Sequence, residues 1–143
     1  MLTELTIKDF ISKVISNDPV PGGGSVSALN GALAAALSAM VANLTVGRKK
    51  YVEVNDLMQE LSARFEKLSQ KLIEDVDRDS DAYNRVFAAF KLPKETDEEK
   101  QVRSEAIQRE TKYAAQVPME VARAVYEVLP QIDAIVQKGN SNA

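Results

Sequence analysis

Two features of this sequence carry residue types that chemistry can use, and the first is the glycine run Pro21-Gly22-Gly23-Gly24-Ser25. Glycine inside a helix or strand costs about 0.5–1 kcal/mol relative to alanine, so a run of glycines favours a turn. Ser25 has the chemistry of an N-cap for the helix that follows it. A helix start after glycines offers unpaired N–H groups and the positive end of the helix dipole. The run therefore predicts a cradle for an anion or polar ligand, with a simple tight turn as the alternative.

The second feature is Asp79, which occupies a position where an apolar stripe calls for an apolar residue. Steps of three and four residues place the stripe on one face of a long helix. Its members are Val54, Met58, Leu61, Phe65, Leu68, Leu72, Val76, Asp79, Tyr83, Val86 and Phe90. A carboxylate facing a core must be paired, hydrogen-bonded or beside a wet cavity, and such groups serve general acid–base catalysis. The alternative is a solvated Asp79, because it lies within a densely charged run from Glu74 to Asp81.

The composition excludes several kinds of active site. The 143 residues contain no His and no Cys, which excludes histidine-based triads, cysteine nucleophiles and disulfides. A metal site is not expected without these ligands. Acid–base chemistry must therefore come from carboxylates, Lys or Tyr. The net charge of -3 argues against a general nucleic-acid-binding protein.

The elements that must position these residues are predicted to be helices. Hydrophobic residues make up 45% of the chain and aromatic residues 6%, with no Trp, so the core must be built of Ala, Leu, Val and Ile. Such a composition favours helix over sheet. We predict helices over 7–16, 25–45, 54–90, from the capping box at 96–99 to Val117, and over 118–129 and 131–138. The predicted fold class is an all-α, largely antiparallel bundle with one long helix and a central small-residue helix, in a single domain over 1–143.

The helix predicted from Ser25 to Thr45 has apolar or small residues on every face, which implies that protein surrounds it. A membrane span is the alternative, because about 20 uncharged residues are long enough to cross a bilayer. The many Ser, Thr, Asn and Ala residues, and the amphipathic helices on either side, favour a bundle and no membrane. The N-terminus has no signal-peptide pattern, so we expect a cytoplasmic protein.

Several segments together resemble the cyclodeaminase/cyclohydrolase family of folate enzymes, which includes formimidoyltransferase-cyclodeaminase and methenyltetrahydrofolate cyclohydrolase. These segments occur in family order and with family-like spacing along essentially the whole chain. They are Pro21-Gly22-Gly23-Gly24-Ser25-Val26, Ala39-Met40-Val41, Thr45-Val46-Gly47-Arg48, Asp77-Arg78-Asp79-Ser80-Asp81-Ala82-Tyr83, Lys91-Leu92-Pro93-Lys94, Val117-Pro118 and Lys138-Gly139-Asn140. The resemblance also implies a C-terminal segment beyond Ala143, which this sequence lacks.

The resemblance implies one-carbon chemistry on tetrahydrofolate by a homodimer, with no cofactor besides the folate substrate. The family's catalytic aspartate corresponds best to Asp79, with Asp77 as the second choice, and Tyr83 replaces the usual Phe. The implied substrate-binding residues are Gly22, Gly23, Gly24, Ser25, Arg48, Lys91 and Lys94. From spacing alone, the basic residues after Gly47 are better explained as complements of a helix C-terminus.

The resemblance leaves more than one function open. Hydrolysis of 5,10-methenyltetrahydrofolate to 10-formyltetrahydrofolate is favoured, because the sequence has no attached transferase domain to deliver a formimidoyl group. The alternatives are formimidoyltetrahydrofolate cyclodeaminase, which releases ammonia, and a non-catalytic helical module that binds folate or a protein.

Overall fold

The computed structural model describes residues 1–143 and contains only helices and their connections. The α-helices are α1 (Ile7–Ile15), α2 (Gly23–Thr45), α3 (Asn55–Phe90) and α4 (Asp97–Lys138). Short 3-10 helices cover Leu2–Glu4 and Lys49–Val54. The predicted all-α fold class is confirmed. The chain forms two compact units, the first from Met1–Ala28 and Glu74–Val121 and the second from Leu29–Ile73 and Ala122–Ala143.

Local capping explains where three of these helices begin or end. Thr6 caps α1 by accepting a hydrogen bond from the Asp9 N–H. Before α4, Thr96 Oγ1 accepts from the Glu99 N–H at 3.2 Å and the Glu99 carboxylate accepts from the Thr96 N–H at 3.1 Å. This reciprocal pair is the capping box that the sequence predicts. Gly47, which follows α2, has a φ of 73°, a conformation that glycine adopts without steric cost.

The prediction of separate helices starting at Pro118 and interrupted at Pro130 is wrong, because α4 continues through both prolines to Lys138. Proline inside a helix removes one backbone hydrogen bond and costs about 3 kcal/mol or more. Four apolar residues of α4, which lie before, between and after the two prolines, offset this cost because they bury one face of the helix. They are Val117, Val121, Val128 and Ile135, all less than 9% exposed.

In the first unit, α3 and α4 run antiparallel. The Arg78 guanidinium donates to the Glu120 carboxylate, and the Arg85 guanidinium lies 5.2 Å from the centre of the Tyr113 ring. Further along α3, Arg103 of α4 donates to the Phe90 carbonyl. The buried side chains of this unit are mostly small or β-branched, and they include Ala28, Val76, Ala82, Ala89, Ala106 and Val117.

The second unit contains the main cluster of large apolar side chains. Met58 and Phe65 of α3 are fully buried and pack with Ala35, Ala39, Ala42, Leu61, Val128 and Ile135. Small residues allow close helix packing here: a Cβ at Gly31 would lie 3.1 Å from Leu72 Cδ1 and 3.3 Å from Val125 Cγ2. The predicted use of small residues for close approach is therefore confirmed in this unit.

The expectation that protein surrounds α2 on all sides is wrong. Its alanine face is buried, but the opposite face exposes Leu33, Leu37, Met40 and Leu44 by 39–59%. By length and composition α2 is the one helix that could cross a membrane, and 33% of its most apolar window is buried. This is weak evidence for a span, because core helices of soluble proteins meet the same criteria.

Candidate active site

A cavity of about 240 Å³ in the first unit contains the two features that the sequence singles out. The loop before α2 forms one wall with Pro19, Val20, Gly22, Gly23 and Gly24. Asp79 and Tyr83 contribute from successive turns of α3, and Ala114 contributes from α4. The structure thus brings the glycine run and Asp79 to the same cavity, although they are more than 50 residues apart in the sequence.

Gly24 is required by the position of the Asp79 carboxyl group. A Cβ at Gly24 would lie 2.5 Å from Asp79 Cγ and 2.6 Å from Oδ2, and still closer to Oδ1. No side chain larger than hydrogen fits there unless the carboxyl group moves. Gly23 differs, since a Cβ there would meet nothing within 4 Å. Two neighbouring glycines therefore have different roles, and only Gly24 makes room for the carboxyl group.

Ser25 is not the N-cap that the sequence predicts, because α2 already begins at Gly23. The glycines themselves adopt the first helical turn, so Ser25 lies inside the helix, and its side chain is fully buried. Ser25 Oγ lies 2.9 Å from the Val76 carbonyl oxygen and 3.0 Å from Asp79 Oδ2. The hydroxyl therefore contacts the candidate acid–base group and faces away from solvent.

The N-terminus of α2 leaves backbone donors beside the cavity. Val26 is the first residue of α2 whose N–H bonds into the helix, to the Gly22 carbonyl at 3.1 Å. The N–H groups of Gly23, Gly24 and Ser25 precede it and have no carbonyl partner in the helix. With the helix dipole, these groups favour negative charge or a polar ligand atom at this wall of the cavity.

The carboxylates next to Asp79 on α3 bind different partners. Asp77 accepts hydrogen bonds from the Leu2 N–H and, at 2.5 Å, from Thr3 Oγ1, so it fastens the N-terminal segment. Asp75 is 1% exposed and pairs with the Arg78 guanidinium at 3.1 Å. Sequence reasoning did not single out Asp75, although its spacing to Arg78 is that of a helical ion pair. Among these three carboxylates, Asp79 is the one that lines the cavity.

The Arg78 side chain illustrates how this charged turn is held together. Desolvation lowers the pKa of its guanidinium, but the hydrogen bond with Glu120 and the charges of Asp75 and Glu120 outweigh that effect and raise the pKa above its ordinary value. Arg78 therefore stays charged and links Asp75 of α3 to Glu120 of α4. Within the charged run, Asp75 and Arg78 thus form an ion pair, and Asp77 accepts hydrogen bonds from the N-terminal segment.

The end of the predicted apolar stripe turns outward beyond Asp79. Tyr83 and Phe90 are 39% and 52% exposed, while Ala82 and Ala89 take the buried positions. The stripe fails here because small residues, not large ones, face α4 in this unit. Tyr83 packs against Phe87, with ring centres 5.3 Å apart and planes tilted by 41°. An exposed aromatic pair therefore borders the cavity.

The predicted basic residues do not line this cavity. Lys91 and Lys94 are exposed in the connection between α3 and α4. This connection begins after Phe90, the last residue of α3, which lies about 16 Å along the helix axis from Asp79 at 1.5 Å per residue. Arg48 belongs to the second unit, where it is exposed and precedes the 3-10 helix Lys49–Val54. Their assignment to substrate binding stays a prediction.

An all-α fold in which a carboxyl group is held against a glycine-rich helix start defines a class of candidate acid–base site. Comparison with known proteins identifies the class more closely. The family model "Formiminotransferase-cyclodeaminase" matches residues 6–143. The chain belongs to this family, as the motifs in its sequence predict.

The names of individual relatives give different activities. A methenyltetrahydrofolate cyclohydrolase from Methylorubrum extorquens is 41% identical over 137 residues, which cover 96% of this chain and 66% of the relative. A formimidoyltransferase-cyclodeaminase from Rattus norvegicus is 35% identical over 139 residues, covering 97% of this chain and 26% of the relative. The crystal structure of a formiminotetrahydrofolate cyclodeaminase from Thermotoga maritima matches with a TM-score of 0.83 and 32% identity, over 99% of this chain and 67% of that one. This chain thus spans about two thirds of the cyclohydrolase and a quarter of the rat protein.

Proposed function

We propose that this protein hydrolyses 5,10-methenyltetrahydrofolate to 10-formyltetrahydrofolate, with Asp79 as the catalytic acid–base residue. The observation that carries the proposal is the Asp79 carboxyl group, held against Gly24 in a cavity at the start of α2. The cyclohydrolase among its relatives supports this reaction.

The chemistry needs one group that accepts and then returns a proton. The Asp79 carboxylate takes a proton from water as the water oxygen bonds to the methenyl carbon, which gives a neutral tetrahedral adduct. The proton returns to the folate nitrogen N5 as its bond to that carbon breaks, and the adduct hydroxyl loses its proton to become the formyl C=O. One proton is released overall, and the steps need no resident cofactor or metal. General acid–base catalysis of this kind contributes typically about 10²- to 10⁴-fold.

The size of the cavity suits the reacting end of the substrate. Its volume of about 240 Å³ is below the roughly 300–1,000 Å³ of sites that enclose a whole drug-sized ligand. The rest of the folate would therefore lie outside it. The exposed Tyr83–Phe87 pair at its edge offers a stacking surface for an aromatic ring of the substrate. The N–H groups of Gly23 and Gly24 offer donors for its polar atoms.

The direct test is a turnover assay with the purified chain. The absorbance of 5,10-methenyltetrahydrofolate should fall faster than in buffer alone, and 10-formyltetrahydrofolate should form in equal amount. Loss of substrate at only the buffer rate, in a protein that is folded by circular dichroism, would contradict the proposal for this chain.

The cyclodeaminase reaction is the second candidate, and the solved structure from Thermotoga maritima favours it. The same carboxyl group would then act as acid or base while 5-formimidoyltetrahydrofolate closes its ring and ammonia leaves. Incubation with that substrate distinguishes the two, because methenyl absorbance would rise and ammonia would appear. Binding of tetrahydrofolate without turnover of either substrate would indicate a non-catalytic module.

We also propose a cytoplasmic homodimer that binds neither nucleic acid nor membrane. The exposed leucine face of α2, formed by Leu33, Leu37, Met40 and Leu44, supplies apolar surface that a second copy would cover. Light scattering after size exclusion, without detergent, should give twice the chain mass of 15.7 kDa. A monomer, or protein that needs detergent to remain in solution, would contradict this assembly.

A further inference from the structure

The hydroxyl of Ser25 has two possible acceptors and one proton. Its Oγ is 2.9 Å from the Val76 carbonyl oxygen and 3.0 Å from Asp79 Oδ2. A hydroxyl donates one hydrogen bond and accepts others, whereas a carbonyl oxygen only accepts. Ser25 therefore donates to either the carbonyl or the carboxylate at any moment.

The protonation state of Asp79 decides between these two arrangements. When Asp79 is ionised, it can only accept, so Ser25 donates to Oδ2. The Val76 carbonyl keeps its bond from the N–H four residues later in α3. When Asp79 is protonated, its own O–H can donate to Ser25 Oγ, and the Ser25 proton turns to the Val76 carbonyl. Both contacts are then hydrogen bonds at the same time.

We infer that Ser25 is a positioning residue whose hydroxyl reorients with each proton transfer and hydrogen-bonds the Asp79 carboxyl group in both of its protonation states. This inference rests on the proposed function, in which Asp79 takes and returns one proton in each turnover. A partly buried carboxyl group left without a hydrogen-bond partner in one protonation state would carry a free-energy cost in that state. The serine avoids that cost in both states and holds the carboxyl group against Gly24.

Few other groups near Asp79 could hydrogen-bond its carboxyl group. The loop and α4 contribute Pro19, Val20, glycines and Ala114 to the cavity, none of which has a charged side chain. Tyr83 of α3 is the one other titratable residue that lines it. Ser25 is also the one side chain that hydrogen-bonds Asp79. A carboxyl group with one adaptable partner is suited to alternate between acid and base.

The test uses the side-chain carboxyl carbon of Asp79 as an NMR probe, identified by the loss of its resonance in Asp79→Asn. Spectra are taken of the full chain at pH values well below and well above the titration of this group. Ser25→Ala should shift the resonance at both extremes, because a hydrogen bond is lost in both states. A shift at only one extreme, or at neither, would overturn the inference. This readout does not depend on turnover, so it can fail or succeed independently of the proposed function.

Kinetics provide the second readout, with Ser80→Ala as the matched control. Ser80 is also buried in the first unit, at 6% exposure, but its hydroxyl has no hydrogen-bond partner. Ser25→Ala should lower kcat by about 10- to 100-fold, the effect of losing a hydrogen bond to a charged group, and leave KM within about twofold. Ser80→Ala should change neither. Equal kcat losses in the two variants, or a loss that appears only in KM, would contradict a positioning role specific to Ser25.

Discussion

The two compact units of this chain bury different kinds of side chain. The second unit buries Met58, Leu61, Phe65 and Leu72 and holds the main apolar cluster. Apart from Leu2 and Phe10, the first unit buries small or β-branched apolar residues, together with Ser25, Ser80 and the carboxylate of Asp75. The buried polar residues of the second unit, Thr45 and Ser62, are uncharged. Its cavity combines a carboxyl group, a helix N-terminus and an aromatic edge. The difference indicates that apolar burial in the second unit mainly stabilises the fold, and that the first unit holds the polar groups that chemistry needs.

The largest effect on stability is expected in the second unit. Phe65 is fully buried, so Phe65→Ala removes its apolar contacts and leaves a cavity. We expect the free energy of unfolding to fall by about 3–5 kcal/mol, measured by urea denaturation. The kcat of the protein that remains folded should stay within about twofold of wild type. A loss of stability below 1 kcal/mol, or a kcat loss in fully folded protein, would contradict this division of roles, in which the second unit stabilises the fold and the first unit carries the chemistry.

The next effect is expected at Gly24, where the change should act on chemistry and little on stability. Gly24→Ala places a Cβ against the Asp79 carboxyl group, which can rotate away because it ends a flexible side chain. We expect kcat to fall by about 100-fold, as for a reacting group displaced by about 1 Å. Gly23→Ala is the comparison, since its Cβ meets nothing within 4 Å and leaves the Asp79 carboxyl group in place, so it should lose less kcat than Gly24→Ala. Equal rates for both variants would show that the carboxyl position does not matter.

A smaller effect is expected at Asp77, which bonds to the N-terminal segment and does not line the cavity. Asp77→Ala should lower the free energy of unfolding by about 1–2 kcal/mol through loss of these hydrogen bonds. Leu2, which Asp77 helps to hold, should become more open to amide exchange. Turnover should stay near the wild-type rate. A kcat loss as large as that of an Asp79 variant would transfer the acid–base role to Asp77.

The smallest effect concerns Tyr51 in the second unit. Hydrogen bonds with the Ser141 side chain and backbone, helped by Lys50, lower the pKa of the exposed phenol from 10.0 to about 8. Because the pKa is lower in the folded state, this stabilisation is complete above about pH 10 and is lost as the pH falls through about 8. Absorbance titration should show a phenolate with a midpoint near pH 8 that Tyr51→Phe removes. A wild-type titration with all tyrosines near pH 10 would contradict this.

Periodicity predicts much of this fold because most of its helices are amphipathic. The bounds of α1, α2 and α3 agree with the predictions to within two residues. The continuity of α4 through Pro118 and Pro130 is not predictable locally, because buried residues on both sides offset the proline cost. The sequence also fails to predict that the leucine face of α2 is exposed, since leucines can lie on either a buried or an exposed face of a helix.

The sequence predicts the candidate site only in part, because local patterns single out residues and do not show which of them come into contact. A polar residue within an apolar stripe singles out Asp79, and a glycine run predicts a close approach by another group. Neither pattern indicates that the approaching group at Gly24 is the Asp79 carboxyl itself. The contact of Ser25 with Val76 and Asp79 depends on how α2 and α3 pack, and local spacing does not encode it.

The most direct test of the account compares Asp79→Asn with Asp77→Asn in the turnover assay. Both changes replace a carboxylate of α3 by an amide of nearly the same shape, two residues apart. We predict that Asp79→Asn loses about 10²- to 10⁴-fold in kcat, as expected for a general acid–base residue, while Asp77→Asn stays near wild type. Full turnover of 5,10-methenyltetrahydrofolate by folded Asp79→Asn would contradict the central claim that this carboxyl group carries the chemistry.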